Sequence, residues 1–485
     1  MVDGASSGVF ADCVAIECYC DTRHAEALGR KGQMTSGQID TRAANAEPSR
    51  RVRRRLPRWS ELRPLLKRRK LILNPVERRL AKTLTIDDLR SAARRRVPQP
   101  VFDYVDGAAE TETSLARARD AFLDLEFRPR ILRDVAEVDT TVDVLGMPSA
   151  LPLVLAPTGF TRMMHHGGET AVARAAARAG IPYTLSTMGT TSIEDLRREE
   201  PHGRHWFQLY LWRDRSASEA LIDRAKQVGI DTLVLTVDTP IGGARLRDVR
   251  NGFTIPPTLT LKTLANISRY PSWWLNLMTT EPLEFASLQS WNGTVEELVS
   301  KMFDPRVTFE DLRWLRDQWG GKLVVKGIQR VDDACRAVDY GADGIVLSNH
   351  GGRQLDRAST PLDLLPDVTK ALGQRAEVFI DTGITSGADL VAARALGASA
   401  GMIGRGYLYG LMAGGERGVD RALQILYDEA ARTLRLLGVN RIEDVDPDQV
   451  LLRRPGGSAA AKDTAGVKGR HPDSVGPSPT AQVRS

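Results

Sequence analysis

The stretch SNHGGRQLD, Ser348 to Asp356, sets His350 three residues ahead of Arg353, with Gly351 and Gly352 between them. A histidine can take up a proton and an arginine keeps its charge, so the pair suits acid–base work beside a fixed cation. The two glycines free the backbone to curl, which lets both side chains face one cavity. A lone histidine is more often a satisfied structural residue, and a catalytic role needs partners within reach. The chain supplies them at the ends of apolar runs: Pro157 and Thr158, Ser186, Gln208 and Tyr210, Thr236 and Asp238, and Lys326. Further on come Ser348, Asp381, Gly383, Gly404 and Arg405. A carboxylate, a lysine, two arginines and a tyrosine form too polar a set for a core.

The elements that must carry these residues follow a regular rhythm. Apolar runs of the buried-strand type occur at 151–157, 183–186, 206–210, 231–238, 322–327, 344–349, 377–383 and 400–405. Helical patterns such as GGETAVARAAARAG and VDDACRAVDYGA lie between them, and this alternation predicts a parallel sheet with helices outside. Eight such units in one α/β domain predict a TIM (β/α)8 barrel, whose strand C-terminal ends converge on one site. A doubly wound sheet is the alternative, but no GxGxxG follows the first strand.

Strand starts are 22 to 33 residues apart except between 231 and 322, a gap of 91. An insertion at about 253–305 therefore stands after the fourth strand, on the active-site face. It contains Trp273, Trp274, Leu275, Leu277, Met278, Leu283, Phe285, Leu288 and Trp291. Such a segment is either a lid packed on the barrel or an interfacial element with tryptophans at headgroup depth.

The flanks differ in composition. Residues 1–48 and 454–485 are rich in small and polar residues and are expected to be a disordered extension and tail, while 49–83 form a basic arm and 84–453 the barrel domain. The runs RRVRRRLPR and KRRK in the arm suit a solvated segment, an acidic membrane surface or nucleic acid. With Trp59 as the one nearby aromatic, a base-stacking platform is not expected, and no nucleic-acid partner is assigned. Cys13, Cys18 and Cys20 crowd the start and Cys335 stands apart, so neither a disulfide framework nor a zinc spacing is expected, and no metal is assigned. Without a run of 18 apolar residues or a signal-peptide pattern, the expected location is the cytoplasm, peripheral to the inner face of the cell membrane if the insertion is interfacial.

On the motifs FDYVDGAAE, FRPRIL, APTG, FQLY, TVDTP, VVKGI, SNHGGRQLD and MIGR, residues 84 to 445 resemble the FMN-dependent α-hydroxy-acid oxidases and dehydrogenases. That family includes glycolate oxidase, flavocytochrome b2, mandelate dehydrogenase and bacterial L-lactate dehydrogenase. GARLRDVRNG (243–252) and the tryptophan-bearing insertion are most similar to a respiratory L-lactate dehydrogenase. The resemblance implies FMN as cofactor and oxidation of an L-2-hydroxy acid, with lactate the first choice of substrate. It also implies a membrane quinone or other respiratory acceptor, and often a homotetramer. A soluble oxidase or lactate monooxygenase using O2 is the alternative, and a barrel kept only as a scaffold is argued against by the intact polar set.

The same resemblance implies the roles. His350 would be the base beside the substrate Cα, Asp238 would stabilise the imidazolium, and Arg353 with Arg245 would clamp the carboxylate. Tyr210 and Tyr104 would bond the substrate hydroxyl and carboxylate. Lys326 would face the anionic edge of the reduced flavin, with Gln208, Thr236 and Ser186 bonding its ring and the backbone of Pro157, Thr158 and Gly159 lying against it. Ser348, Asp381 and Gly383 would complete the cofactor site, Asp381 on the ribityl chain, and Gly404 and Arg405 would take the phosphate. Two departures stand out: Thr385 replaces the usual phosphate arginine, and Met188 replaces the tryptophan of glycolate oxidase. Met188 leaves room for a methyl group, and Gly159 and Phe160 are expected to line the same region, which keeps mandelate-like acids open.

Overall fold

The computed structural model describes residues 55–66, 72–252, 267–286 and 303–453. The expected extension and tail lie outside the described residues, as do 253–266 and 287–302 of the expected insertion. Residues 55–66 belong to a separate unit that ends at Lys70, and they hold one short helix, Trp59–Leu62.

The second unit is built on the eight apolar runs. They form β1 (Leu153–Leu155), β2 (Tyr183–Ser186), β3 (His205–Leu209) and β4 (Thr232–Thr236), then β5 (Lys322–Ile328), β6 (Gly344–Leu347), β7 (Glu377–Asp381) and β8 (Ala400–Ile403). Each strand pairs in parallel with its chain neighbours, and β8 closes on β1 through Gly401 opposite Leu153. Helices cover the outside, so strand residues are buried on both faces and the runs read as continuous rather than alternating. Most strands are shorter than their apolar runs, because residues such as Pro157, Asp238 and Gly383 have already turned into the loops of the C-terminal mouth. Inside the barrel, Trp206 of β3 meets Phe379 of β7 edge-on at 5.8 Å, both fully buried. The two strands stand on opposite sides of the barrel, so this contact crosses its interior and fills it below the mouth.

Helices precede the barrel and return to its mouth. Ile86–Arg94 buries Ile86, Leu89, Ala92 and Ala93, and it packs on the helix Arg405–Gly414 that follows β8. Its start is fixed by a capping box between Thr85 and Asp88. The next helix, Gln99–Asp106, carries Tyr104. Two small antiparallel pairs, Leu125–Phe127 with Val450–Leu452 and Val142–Val144 with Met147–Ser149, were not predicted; three residues are too few to show a period.

Within the insertion, Pro271–Met278 is helical. The Trp273 indole donates to the Met163 carbonyl at 2.8 Å, and Phe285 packs on Phe160 with ring centroids 4.4 Å apart. The described part therefore rests on the loop after β1, as a lid would, while Leu275 and Met278 face solvent.

Candidate active site

The C-terminal mouth answers why two glycines follow His350. His350, Gly351 and Gly352 all adopt left-handed backbone, with φ of 59°, 70° and 72°. A Cβ on Gly351 would sit 2.7 Å from Arg405 Nη1, and one on Gly352 would sit 2.9 Å from the Leu115 nitrogen. His350 itself is a non-glycine residue held in that region, a local strain of order 1–3 kcal/mol that the surroundings must offset. They do so with three bonds: His350 N to Ser348 Oγ (2.9 Å), Gly351 N to Thr382 Oγ1 (3.0 Å) and Gly352 N to Asn349 Oδ1 (2.9 Å).

The turn aims His350 at the end of β4. Its Nδ1 lies 2.9 Å from Asp238 Oδ1, so Nε2 is the ring nitrogen left for a substrate. A cavity of about 300 Å³ opens there, and His350, Arg353, Arg245, Tyr104 and Tyr210 all line it. Arg353 is half-buried; its Nη1 donates to the carbonyls of Tyr104 (2.5 Å) and Gly107 (3.2 Å), and its guanidinium lies 4.9 Å from the Tyr104 ring centroid. Burial, with Arg245 and then Arg405 nearby, pulls the Arg353 pKa down to about 9, a deficit that an incoming carboxylate would relieve. Arg245 Nε is buried without a hydrogen-bond partner, which leaves a charged donor unused at the site. Burial raises the pKa of the Tyr210 hydroxyl, and Asp238 adds to the rise.

The other wall holds the residues expected to meet a cofactor. Pro157, Thr158, Gly159, Ser186, Gln208, Thr236, Lys326, Asp381, Gly404 and Arg405 line the same cavity. Thr158 turns its hydroxyl away to Tyr407 (2.6 Å), which leaves its backbone toward the opening. The carbonyl end of Gln208 accepts from Ser186 Oγ and Thr187 N, each at 3.2 Å, while its Nε2 is buried with no partner. Lys326 pairs with Asp381 Oδ2 at 2.7 Å and donates to Ser348 Oγ at 3.0 Å. Burial opposes the lysine charge, yet Asp381 and Asp238 outweigh it and raise its pKa; burial likewise opposes the Asp381 charge, and Lys326 holds that pKa down.

Some expectations land elsewhere. Ser348 sits behind Lys326 and donates to Asp381 at 2.9 Å rather than lining the cavity. Gly383 is spent on packing, since a Cβ there would strike Ala118 and Phe122 of the helix Thr113–Leu123. Phe160 leaves the cavity for Phe285, whereas Met188 and Gly159 stay in it. Thr385 donates its backbone nitrogen to Asp389 at 2.8 Å at a helix start. Arg405 spends Nε and Nη2 on the carbonyls of Val105, Gly107 and Gly351. Asn349, which pins the turn, and Leu408 and Phe303, which line the cavity, were not singled out in advance. Leu408 and Phe303 are apolar and carry no chemical signature, while Asn349 lay inside the quoted motif.

The residues fit a flavin on their own terms. Gln208 offers an unused buried donor, Lys326 a buried cation, and the N-terminus of the ten-residue helix Arg405–Gly414 opens beside Gly404, where backbone N–H groups suit a phosphate. Among the described residues no cluster of His, Cys, Asp and Glu could hold a metal ion, and no helix is long and apolar enough to cross a membrane.

Comparison with known proteins agrees. The family described as FMN-dependent dehydrogenase matches residues 93–452. A Mycobacterium tuberculosis protein named "Putative L-lactate dehydrogenase" is 58% identical over 406 residues, covering 84% of this chain and 98% of its own. The L-lactate dehydrogenase of Caulobacter vibrioides is 40% identical over 375 residues, 76% of this chain and 97% of its own. The crystal structure of the monotopic membrane protein (S)-mandelate dehydrogenase superposes with a TM-score of 0.74 at 39% identity, over 77% of this chain and all of that one. The chain therefore belongs to the FMN-dependent dehydrogenase family, as a TIM-barrel flavoenzyme that oxidises 2-hydroxy acids.

Proposed function

We propose that the enzyme oxidises L-lactate to pyruvate and passes the two electrons to a quinone in the membrane. The observation that carries the catalytic part is the meeting of the His350–Asp238 pair with Arg353 and Arg245 in one cavity. Arg353 and Arg245 hold the substrate carboxylate, which fixes Cα and the hydroxyl toward His350. His350 Nε2 takes the proton released as the alcohol becomes a ketone, and Asp238 stabilises the imidazolium that results. Tyr210 and Tyr104 orient the hydroxyl and the carboxylate. FMN supplies the two-electron acceptor when bound. Gln208, Ser186, Thr236 and Lys326 would hold its ring, Pro157 to Gly159 would lie along it, and Gly404 with Arg405 would take its phosphate.

Lactate is preferred because Met188 and Gly159 leave space for a methyl group, and because relatives are named for lactate. The test is anaerobic bleaching of the FMN absorbance by L-lactate, D-lactate and (S)-mandelate in turn. Faster bleaching by mandelate would replace lactate as substrate, and no bleaching by any 2-hydroxy acid would remove the catalytic assignment.

Lys326→Met is expected to lower FMN retention and to shift the flavin midpoint potential to a more negative value, since it removes the cation that would stabilise a reduced, anionic ring. It also strands Asp381 as a buried charge, at a cost of about 3–5 kcal/mol. An unchanged potential in the fraction that keeps FMN would move Lys326 away from the ring.

The quinone reading draws support from the exposed Leu275 and Met278 of the helix Pro271–Met278, and from a structural neighbour described as a monotopic membrane protein. Burying such side chains in a bilayer surface contributes about 1.5–3 kcal/mol each. The double substitution Leu275→Glu and Met278→Glu should therefore weaken vesicle binding by roughly 10²-fold or more. Bleaching by lactate should persist while turnover with a lipid-soluble quinone falls. Equal vesicle binding by parent and variant, or fastest reoxidation by O2, would favour a soluble oxidase with a simple lid.

A further inference from the structure

The catalytic groups sit on two segments that are far apart in sequence. His350 and Arg353 follow β6, whereas Asp238 and Arg245 follow β4. Acid–base chemistry and carboxylate binding both need one group from each segment, so the distance between the segments sets the geometry of both pairs.

One side chain spans the gap. Gln354, directly after Arg353, is buried, and its amide uses both ends on the loop after β4. Nε2 donates to the Asp238 carbonyl at 3.0 Å and to the Ile241 carbonyl at 2.8 Å, and Oε1 accepts from Gly243 N at 3.1 Å. The backbones touch at the same point. A Cβ on Gly243 would lie 2.8 Å from Gln354 Cα and would collide with the Arg353 carbonyl oxygen. Two residues later Arg245 begins the helix Leu246–Arg250. The far side of that helix is tied down by Arg247, which bonds Asp106 at 2.9 Å and also pairs with Glu112. One side chain thus meets three points of the 238–243 loop.

We infer that Gln354, seated against Gly243, is a positioning residue that registers the loop bearing Asp238 and Arg245 on the segment bearing His350 and Arg353. An amide suits the task because it alone among side chains of this length donates twice and accepts in one plane. The inference rests on the hydroxy-acid reading proposed above. It differs from a stability role in one consequence: loss of the register disturbs proton transfer and carboxylate binding together, in molecules that remain folded and flavin-loaded.

The experiment uses the FMN-loaded full chain with Gln354→Met, which keeps the length and removes every hydrogen bond. Two quantities are read per bound flavin. The first is the anaerobic rate of reduction by L-lactate. The second is the Kd of 2-hydroxyisobutyrate, which has the carboxylate and hydroxyl but no α-hydrogen to lose. A displacement of about 1 Å can cost on the order of 10²-fold, so the rate should fall by that order and the Kd should rise severalfold. Gln354→Asn keeps the groups on a shorter stem and should give smaller losses in both; it also serves if the methionine chain does not fold. A lower Tm with both quantities within twofold of the parent would overturn the inference and leave the hydroxy-acid reading standing. A parent that no 2-hydroxy acid bleaches would defeat that reading and this inference with it.

Discussion

His350→Gln is expected to retain FMN and to lose L-lactate oxidation by roughly 10²- to 10⁴-fold, the range that general-base catalysis covers. Glutamine approximates the size of the ring, and its amide can still bond Asp238, so the fold around the left-handed turn should hold. What it lacks is a basic nitrogen in the place of Nε2, the one left open when Nδ1 faces Asp238 at 2.9 Å. The reduction rate of the bound flavin, measured anaerobically, separates this from an effect on reoxidation. Half the parent rate would remove His350 as the base.

Arg353→Lys is the second large effect. Arg353 already gives Nη1 to the Tyr104 and Gly107 carbonyls at the end of the helix Gln99–Asp106, and the residue lines the cavity. Lysine keeps the charge but has one compact head, so it can hold either the helix end or the substrate, and never with two parallel bonds. Each charged hydrogen bond contributes about 1.5–3 kcal/mol, and losing one or two lowers kcat/KM by roughly 10- to 10⁴-fold. Flavin content should stay near the parent value. A lysine variant with parental kcat/KM would leave the clamp to Arg245 alone.

Much of this geometry was legible in the sequence because a barrel turns a linear list into a ring. Once eight apolar runs are recognised, whatever polar residue ends each run must face the mouth, and Ser186, Gln208, Thr236 and Lys326 do. Less legible were residues whose type has two uses. Gly383 was expected at the cofactor site, and the structure adds a packing use, since it lets the helix Thr113–Leu123 approach the β7 loop. Phe160 looked like a cavity wall, and a left-handed φ of 56° accompanies its turn to Phe285 instead. Gln354 was quoted within the motif and passed over, since an amide gives no sign in sequence of which distant carbonyls it will meet. Asp381 was assigned to a ligand before its pairing with Lys326 could be seen, because partners on β5 and β7 are 55 positions apart by their residue numbers.

The bonds from Arg405 to the Val105 and Gly107 carbonyls have a consequence in time. The two sides of this contact are 300 and 298 residues apart, and at 5–20 residues per second a ribosome needs roughly 15 to 60 s to travel between them. Arg353 can reach the Tyr104 and Gly107 carbonyls earlier, but the Val105 carbonyl waits for Arg405, and β1 has no strand on its open edge until β8 emerges. The end of the cavity at Gly404 and Arg405, proposed above to take the phosphate, is thus among the last parts of the barrel to be made. On that proposal a complete flavin site needs the chain made through Arg405, and a barrel that is finished but empty lacks the stability that a bound ligand confers by mass action.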